Sequence, residues 1–97
     1  MAKFYFTNKA VDDLNQIWNY TLEAWSENQA DLYFNLIMNS CKELSLNPLI
    51  GKSYEIIDSS ILGFNTGKHI IFYRILTDSE IEIVRILHGM MDLKNNF

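Results

Sequence analysis

The chain has 97 residues, of which 48% are hydrophobic and 13% aromatic, a composition that indicates one globular domain spanning residues 1–97 rather than a disordered chain. Its 8 Lys and Arg against 12 Asp and Glu give a formal net charge of −4, which opposes nonspecific attraction to nucleic acid. A single cysteine, Cys41, excludes an internal disulfide, and no stretch has the apolar run of a signal peptide or membrane span. We therefore expect a cytoplasmic protein without membrane contact.

The first half of the chain predicts one short strand and two helices. The aromatic-rich stretch KFYFT, residues 3–7, favours a strand. Apolar stripes at helical spacing predict a helix over about residues 8–25 and a second one over 26–47, which begins with the capping-box sequence SENQ and ends before Pro48. The short link between the helices predicts an antiparallel hairpin. The predicted stripes are Ala10, Leu14, Ile17, Trp18, Thr21 and Trp25, and Ala30, Tyr33, Phe34, Ile37, Cys41 and Leu44.

The second half predicts strands. Turn-forming glycines and Pro48 leave room for short strands near residues 54–57 and 62–65. Residues 69–76 and 81–88 are rich in Ile, Val, Phe and Tyr and flank the turn TDSE, which predicts a β-hairpin. The fold class is therefore α+β, with an N-terminal strand and an antiparallel helical hairpin packed on a small antiparallel β-sheet.

Two arginines interrupt the apolar pattern of the predicted hairpin. If Leu76 faces Ile81, then Arg74 lies opposite Ile83 and diagonal to Arg85. One face would then carry the arginines with Ile70, Phe72, Ile83 and Leu87, and the other His69, Tyr73, Glu82 and His88. Either each arginine meets a carboxylate from a helix or loop of the same chain, or both await an anionic partner, such as a carboxylate-bearing peptide or a phosphate.

The same register places His69 opposite His88, near Tyr73. Histidines can exchange protons at neutral pH, but without a nearby nucleophile we favour a structural or partner-contact role. Two histidines, with Cys41 on a helix stripe, are too few for a typical zinc site, so we predict no metal. No Gly-rich phosphate loop or Gly-x-Ser-x-Gly motif is present, and we predict no cofactor. The methionines of HGMM suit either core packing or an adaptable protein contact.

Four stretches resemble a known family. They are DLNQIWNYTLEAW (13–25), NPLIGKS (47–53), GKHIIFYR (67–74) and IVRILHGMMD (83–92). Through them, nearly the whole chain resembles the ParE toxins of the bacterial RelE/ParE toxin–antitoxin superfamily, and the last two stretches are specific for the ParE branch. The resemblance implies a strand, a helical hairpin and an antiparallel sheet, as the residue patterns also predict.

The resemblance also implies a function and partners. It implies the toxin of a type II toxin–antitoxin system, of the kind associated with plasmid stabilisation, which poisons DNA gyrase and need not itself be an enzyme. A ParD-like antitoxin would neutralise it with an amphipathic helix and an extended segment, and operator DNA would be bound only indirectly, through the antitoxin complex. A toxin homodimer is compatible with this resemblance. We predict gyrase binding and toxicity at Arg85, His88, Met91 and Asp92, and antitoxin binding at Trp18, Tyr33, Tyr73, Arg74 and Arg85.

Two alternative functions remain. A RelE-type toxin cleaves messenger RNA in the ribosome, using basic residues and often a tyrosine near the C terminus; here Gly89 is followed by Met90, Met91 and Asp92, and the chain ends in Phe97. Alternatively, the chain retains antitoxin binding and corepression without toxicity. Where many relatives carry an arginine and another polar residue just before a Phe, this chain has Leu62 and Gly63 before Phe64.

Overall fold

A five-stranded sheet with two long helices against one face forms the protein, in a computed structural model that describes residues 2–97. The elements in chain order are β1 (Lys3–Phe6), α1 (Asn8–Ala24), α2 (Glu27–Leu46), a 3-10 helix (Pro48–Ile50), β2 (Lys52–Ser53), β3 (Leu62–Thr66), β4 (His69–Thr77), β5 (Glu80–His88) and the one-turn helix α3 (Leu93–Asn96). The strand order is β1-β5-β4-β3-β2. The predicted α+β class is confirmed. None of the helices in residues 2–97 is both long and apolar enough to cross a bilayer.

The sheet is mixed, whereas the sequence predicted an antiparallel one. β1 runs parallel to β5, from the pair Lys3 and Glu80 to the pair Phe6 and Ile83, while the other neighbouring strands are antiparallel. This pairing turns Phe4 and Phe6 toward the core under the helices. The sequence indicates that β1 is a strand but not which strand it pairs with or in which direction, because β1 is not part of a hairpin. The parallel pairing of β1 with β5 could therefore not be predicted.

Both long helices begin at a residue whose side chain caps the first turn. The Thr7 hydroxyl accepts the Ala10 amide at 3.1 Å, and the Ser26 hydroxyl accepts the Gln29 amide at 3.1 Å, as the capping-box sequence predicted. Trp25 is a correction, because α1 ends at Ala24 and the indole is 70% exposed rather than part of the buried stripe. Phe34 was also predicted to be buried but is 38% exposed.

The sheet buries apolar residues on both faces. The helix-side core combines Ala10, Leu14, Ile37, Cys41, Leu44, Ile71, Tyr73, Ile81, Ile83 and Ile86. The opposite core combines Ile61, Ile70, Phe72 and Leu87, with Tyr54, Ile57, Val84, Leu93 and Phe97 packed around them. The C-terminal segment thus covers part of the sheet face that the long helices leave free.

Two irregularities divide the β4–β5 hairpin into three registers, one between Phe72 and Tyr73 and one between Ile75 and Thr77. The predicted pairs hold from His69 with His88 to Phe72 with Arg85. Beyond them, β5 carries an extra residue, so the predicted pairing of Arg74 with Ile83 is wrong, and Arg74 pairs with Glu82. Ile83 consequently packs in the helix-side core, and Glu82 shares the face of Arg74. A one-residue shift of this kind exchanges the faces of every residue beyond it.

The predicted strand near residues 54–57 is also wrong. Residues 55–57 form a turn, in which the Ile57 amide donates to the Tyr54 carbonyl at 2.9 Å. The strand lies just before it, where Lys52 and Ser53 pair with Gly63 and Leu62. The apolar side chains of Tyr54 and Ile57 pack on the opposite core from this turn, which explains their strand-like composition.

Candidate functional site

Asp13 and Thr7 complete the hydrogen bonding of β5 beyond the end of β1. Past Phe6 the chain turns into α1, and the Thr7 hydroxyl donates to the Val84 carbonyl at 2.8 Å. The Ile86 amide donates to the Asp13 carboxylate at 3.0 Å, so the first turns of α1 replace the missing strand neighbour. This arrangement fixes α1 against the β5 bulge and places an acidic group beside Arg85.

Arg85, predicted as a contact for both gyrase and the antitoxin, forms its ion pair within the chain. Its Nε donates to Asp13 Oδ2 at 2.8 Å and its second terminal nitrogen donates to Oδ1 at 3.0 Å. The side chains are only 15% and 9% exposed, and hydrogen bonding to Asp13 raises the pKa of the Arg85 guanidinium. The structure therefore supplies the helix carboxylate that the intramolecular alternative required.

The remaining nitrogen of Arg85 binds the C-terminal segment. It donates to the carbonyls of Asn96 and Phe97, each at 3.0 Å. The Phe97 ring in turn packs edge-on against Phe72, with centroids 5.1 Å apart. Arg85 thus joins α1, β5 and the end of the chain, so any effect of its substitution on partner binding includes a change in this junction.

Arg74 has a weaker partner and a more exposed position. Its Nε lies 3.6 Å from a Glu82 carboxylate oxygen, too far for a hydrogen bond, and the side chains are 43% and 34% exposed. Exposed pairs of this kind add little to stability. The other two guanidinium nitrogens of Arg74 are available to bind a carboxylate of a partner protein.

Tyr73, predicted as an antitoxin contact, is fully buried. Its hydroxyl donates to the Pro48 carbonyl at 2.7 Å and accepts the Gly51 amide at 2.9 Å. Burial raises the pKa of the Tyr73 phenol. The side chain fixes the segment after α2 to β4 and presents no surface to a partner.

Trp18 and Tyr33, the other predicted antitoxin contacts, are half-buried at the junction of α1 and α2. The Trp18 ring packs edge-on against Phe34, with centroids 6.1 Å apart. Tyr33 reaches past the helices to the β3–β4 turn, where its hydroxyl accepts the Lys68 amide at 3.0 Å and binds Nδ1 of His69. Trp18 is available at the surface of the helical hairpin, whereas Tyr33 also closes a sheet turn.

His69 and His88 lie side by side where β4 and β5 meet farthest from their turn. Their ring centroids are 5.4 Å apart, and both rings are half-buried. Burial first, and then the neighbouring His88, lower the pKa of His69 from 6.5 to about 4, while Asp13 opposes this change. His69 is therefore neutral at physiological pH. Nδ1 of His88 accepts the Met90 amide at 3.1 Å.

The residues after β5, two of them predicted as gyrase contacts, form an exposed segment. Met90 is 88% exposed and Met91 41% exposed. Asp92 caps α3 and accepts the Asn95 side-chain amide at 2.7 Å. The predicted gyrase residues Met91 and Asp92 thus lie at an accessible surface next to His88, while Arg85 lies beneath the chain end.

Asp13 is the main site residue that the sequence analysis missed. Its role as the partner of Arg85 was not predicted. The signal was present, because Asp13 falls on the stripe formed by Ala10, Leu14 and Ile17, where a carboxylate needs a cation. Lys68 was also missed, although the predicted pairing of His69 with His88 places it near His88. Within residues 2–97 no three His, Cys, Asp or Glu side chains approach closely enough to hold a metal ion.

Comparison with protein families and relatives identifies close matches over nearly the full chain. The family model described as ParE toxin of type II toxin–antitoxin system, parDE, matches residues 4–93. Toxin ParE1 of Mycobacterium tuberculosis is 28% identical over 95 residues, which cover 98% of this chain and 97% of the relative. Toxin ParE1 of Caulobacter vibrioides is 27% identical over 94 residues, which cover 97% and 96%.

Solved structures share the fold. A chain of the chromosomal ParDE TA system from P. aeruginosa matches with a TM-score of 0.76 and 22% identity, covering 91% of this chain and 96% of that one. A chain of the toxin–antitoxin complex RelBE2 from Mycobacterium tuberculosis matches with a TM-score of 0.64 and 22% identity, covering 90% and 96%. At these identities the likeness concerns the arrangement of helices and strands.

Proposed function

This chain belongs to the ParE toxin family of type II toxin–antitoxin systems, and on that premise we propose that it traps DNA gyrase with its DNA cleaved and is neutralised by a ParD-like antitoxin. The observation that carries the proposal is the family match over residues 4–93, which includes both strands of the final hairpin. The action requires no catalysis by the toxin. It would take place in the cytoplasm, where gyrase acts on DNA.

The charges of the hairpin support a protein target over RNA. Arg85 is bound to Asp13, and Arg74 lies beside Glu82. Phosphate chemistry of the RelE type needs cations whose charge is free to offset the phosphate. A net charge of −4 adds to the repulsion of RNA. These two arginines therefore suit structural and protein-contact roles better than nuclease chemistry.

We assign gyrase binding to the surface formed by His88, Met91 and Asp92, with Arg85 supporting it from below. The methionines are exposed, and flexible apolar side chains adapt well to a protein surface. Arg85 holds the chain end through Asn96 and Phe97, which follow this surface directly. Arg85 would then affect toxicity indirectly, by holding the C-terminal segment in place.

We place the antitoxin along the helical hairpin and the adjoining sheet. Trp18 and Tyr33 retain accessible surface on the hairpin, whereas Tyr73 does not and is excluded from this contact. An amphipathic helix of the antitoxin would cover the apolar side chains, and carboxylates of its extended segment would meet Arg74 on the sheet face away from the helices. Trp18→Ala should weaken antitoxin binding in calorimetry about tenfold or more, and Trp25→Ala, at the exposed end of α1, is the matched control.

A second candidate function is antitoxin binding without toxicity. The observation that favours it is the packing at Leu62 and Gly63, where the resemblance to the ParE toxins led us to expect polar residues. Leu62 packs on the helix-side core, and a Cβ at position 63 would collide with the Tyr54 ring. This chain therefore uses both positions for packing, and a long polar side chain does not fit at Gly63.

A gyrase cleavage assay tests the two candidates together. The purified chain is incubated with gyrase, ATP and supercoiled plasmid, the reaction is stopped with detergent and protease, and linear plasmid is measured on a gel. Linear DNA that requires both proteins and disappears on adding the antitoxin supports gyrase poisoning. No linear DNA, with a known gyrase poison active in parallel and the antitoxin still bound in calorimetry, would overturn the proposal in favour of corepression alone.

A further inference from the structure

An open cleft lies at the end of the sheet remote from the β4–β5 turn. Its volume is about 620 Å³, within the range of small-molecule sites. The residues that line it are Tyr54, Asn65, Gly67, Lys68, His69, Ile70, His88, Gly89 and Met90. They come from the end of β3, from the β3–β4 turn, from the facing ends of β4 and β5, and from the segments that precede β3 and follow β5.

The cleft is basic in an acidic protein. Lys68, His69 and His88 line it, and none of the described lining residues is an Asp or Glu, although the chain carries 12 of these acids. Lys68 is exposed and free to turn toward the cleft. Such a local charge favours an anion despite the net charge of −4.

Hydrogen bonds at Nδ1 orient both histidine rings. Nδ1 of His88 accepts the Met90 amide at 3.1 Å. Nδ1 of His69 contacts the Tyr33 hydroxyl, whose oxygen also accepts the Lys68 amide at 3.0 Å and lies 3.5 Å from the Thr66 carbonyl. Both Nδ1 atoms thus have partners within the chain, which leaves Nε2 of each ring for a ligand. The two rings belong to directly paired residues of adjacent strands, which brings them side by side.

We propose that this cleft binds the phosphoryl group of a small phosphate monoester, with Lys68, His69 and His88 donating to its oxygens. Three donors, one of them charged, match the three terminal oxygens of the group. Tyr54, Ile70 and Met90 would contact the organic part of the ligand through their apolar surfaces. The site shares His88 and Met90 with the segment to which we assign gyrase binding, but its test with phosphate requires neither gyrase nor antitoxin.

Binding should be coupled to proton uptake. The ionisable groups around His69 are Tyr33 from α2, Asp13 from α1, Lys68 from the preceding turn and His88 from β5. In the free protein, burial and His88 hold the pKa of His69 at about 4. A bound dianion would favour the charged imidazole and raise that pKa, so the affinity for an anion that stays dianionic should increase as pH falls.

The test is a titration of the full chain with inorganic phosphate at about pH 7, followed through the histidine ring signals in NMR spectra. We expect saturable shifts of both histidines with a Kd of about 1 mM, the affinity of a small fragment. Sulfate remains dianionic at lower pH and should bind more tightly at about pH 5.5 than at pH 7. Sodium chloride at equal ionic strength controls for screening.

Matched variants locate the site. Lys68→Ala and His88→Ala should each weaken phosphate binding about tenfold or more, since each removes a donor. Lys42→Ala, an exposed lysine of α2, should leave it unchanged. Shifts that do not saturate, acetate binding as tightly as phosphate, or equal affinity in Lys68→Ala would overturn the proposal. Because Lys68 is exposed, the Lys68→Ala variant should fold, and a loss of phosphate binding in it would reflect the missing side chain.

Discussion

Asp13 and Arg85, 72 residues apart in the sequence, form a two-point ion pair that also accepts the Ile86 amide. The Asp13 carboxylate therefore satisfies the side chain and the backbone of β5 at once. Through Arg85 the same junction reaches the carbonyls of Asn96 and Phe97. Three parts of the chain are thus held at one point, beside the surface to which we assign gyrase binding.

Replacing Asp13 with Asn should destabilise the protein by about 3 kcal/mol, because Arg85 would keep its charge in a largely buried place without a carboxylate. Denaturant unfolding followed by circular dichroism measures the loss. Asp12→Asn, at the exposed neighbouring position, is the matched control and should change the free energy of unfolding by less than about 0.5 kcal/mol. Equal stability of the two variants would contradict a structural role for the pair.

The sequence predicted the elements of the fold better than the contacts between them. The cap at Ser26 and the final hairpin were readable because they depend on local residues. The parallel β1 and the bulge in β5 depend on which distant segments meet, and the bulge alone moved Arg74 from Ile83 to Glu82. The partner of Arg85 was missed for the same reason, since Asp13 meets Arg85 only through the fold.

Removing the Tyr73 hydroxyl should cost about 1 to 3 kcal/mol, because the Pro48 carbonyl and the Gly51 amide would lose their partner. Tyr73→Phe is compared with Tyr20→Phe, whose ring is 70% exposed, by denaturant unfolding. We expect Tyr20→Phe to match the unmodified protein. If the antitoxin affinity of Tyr73→Phe fell while its stability did not, Tyr73 would be a partner contact after all.

Stability should fall on acidification in a way that depends on His69. Its pKa is about 4 in the folded protein against an ordinary 6.5, so between these values the unfolded chain binds more protons than the folded one. The contribution of His69 is thus fully present above about pH 6.5 and is lost as pH falls toward 4. The measurement is the free energy of unfolding across this range.

The variant His69→Asn isolates that contribution, since its side-chain oxygen can still accept the Tyr33 hydroxyl and does not titrate. The difference in stability between the unmodified protein and this variant should shrink as pH falls from about 6.5 to 4. Carboxylates that titrate in both proteins cancel in this comparison. A difference independent of pH would show that the pKa of His69 is not depressed by folding.

Glycine should be required at position 63 and not at position 89. A Cβ at Gly63 would overlap the Tyr54 ring, whereas one at Gly89 would lie 3.6 Å from the Lys68 carbonyl, an ordinary contact. Gly63→Ala should therefore cost about 1 to 3 kcal/mol in denaturant unfolding, and Gly89→Ala less than about 0.5 kcal/mol. In a protein that already carries Tyr54→Ala, Gly63→Ala should cost much less stability, because the ring that the new Cβ would overlap is absent. Additive losses in the double variant would exclude the overlap as the cause.

Exposed methionines after β5 should contribute to gyrase poisoning without contributing to stability. Met90 and Met91 are 88% and 41% exposed, so replacing both with Ser removes apolar surface that a partner could bury while leaving the core intact. If gyrase buries them, the loss of roughly 1.5 to 3 kcal/mol per side chain should raise the toxin concentration needed for half-maximal plasmid cleavage by about tenfold or more. Leu49→Ser, 84% exposed on the 3-10 helix, is the control and should leave that concentration unchanged. Equal potency of the methionine and leucine variants, with folding confirmed by circular dichroism, would place the gyrase contact elsewhere on the chain.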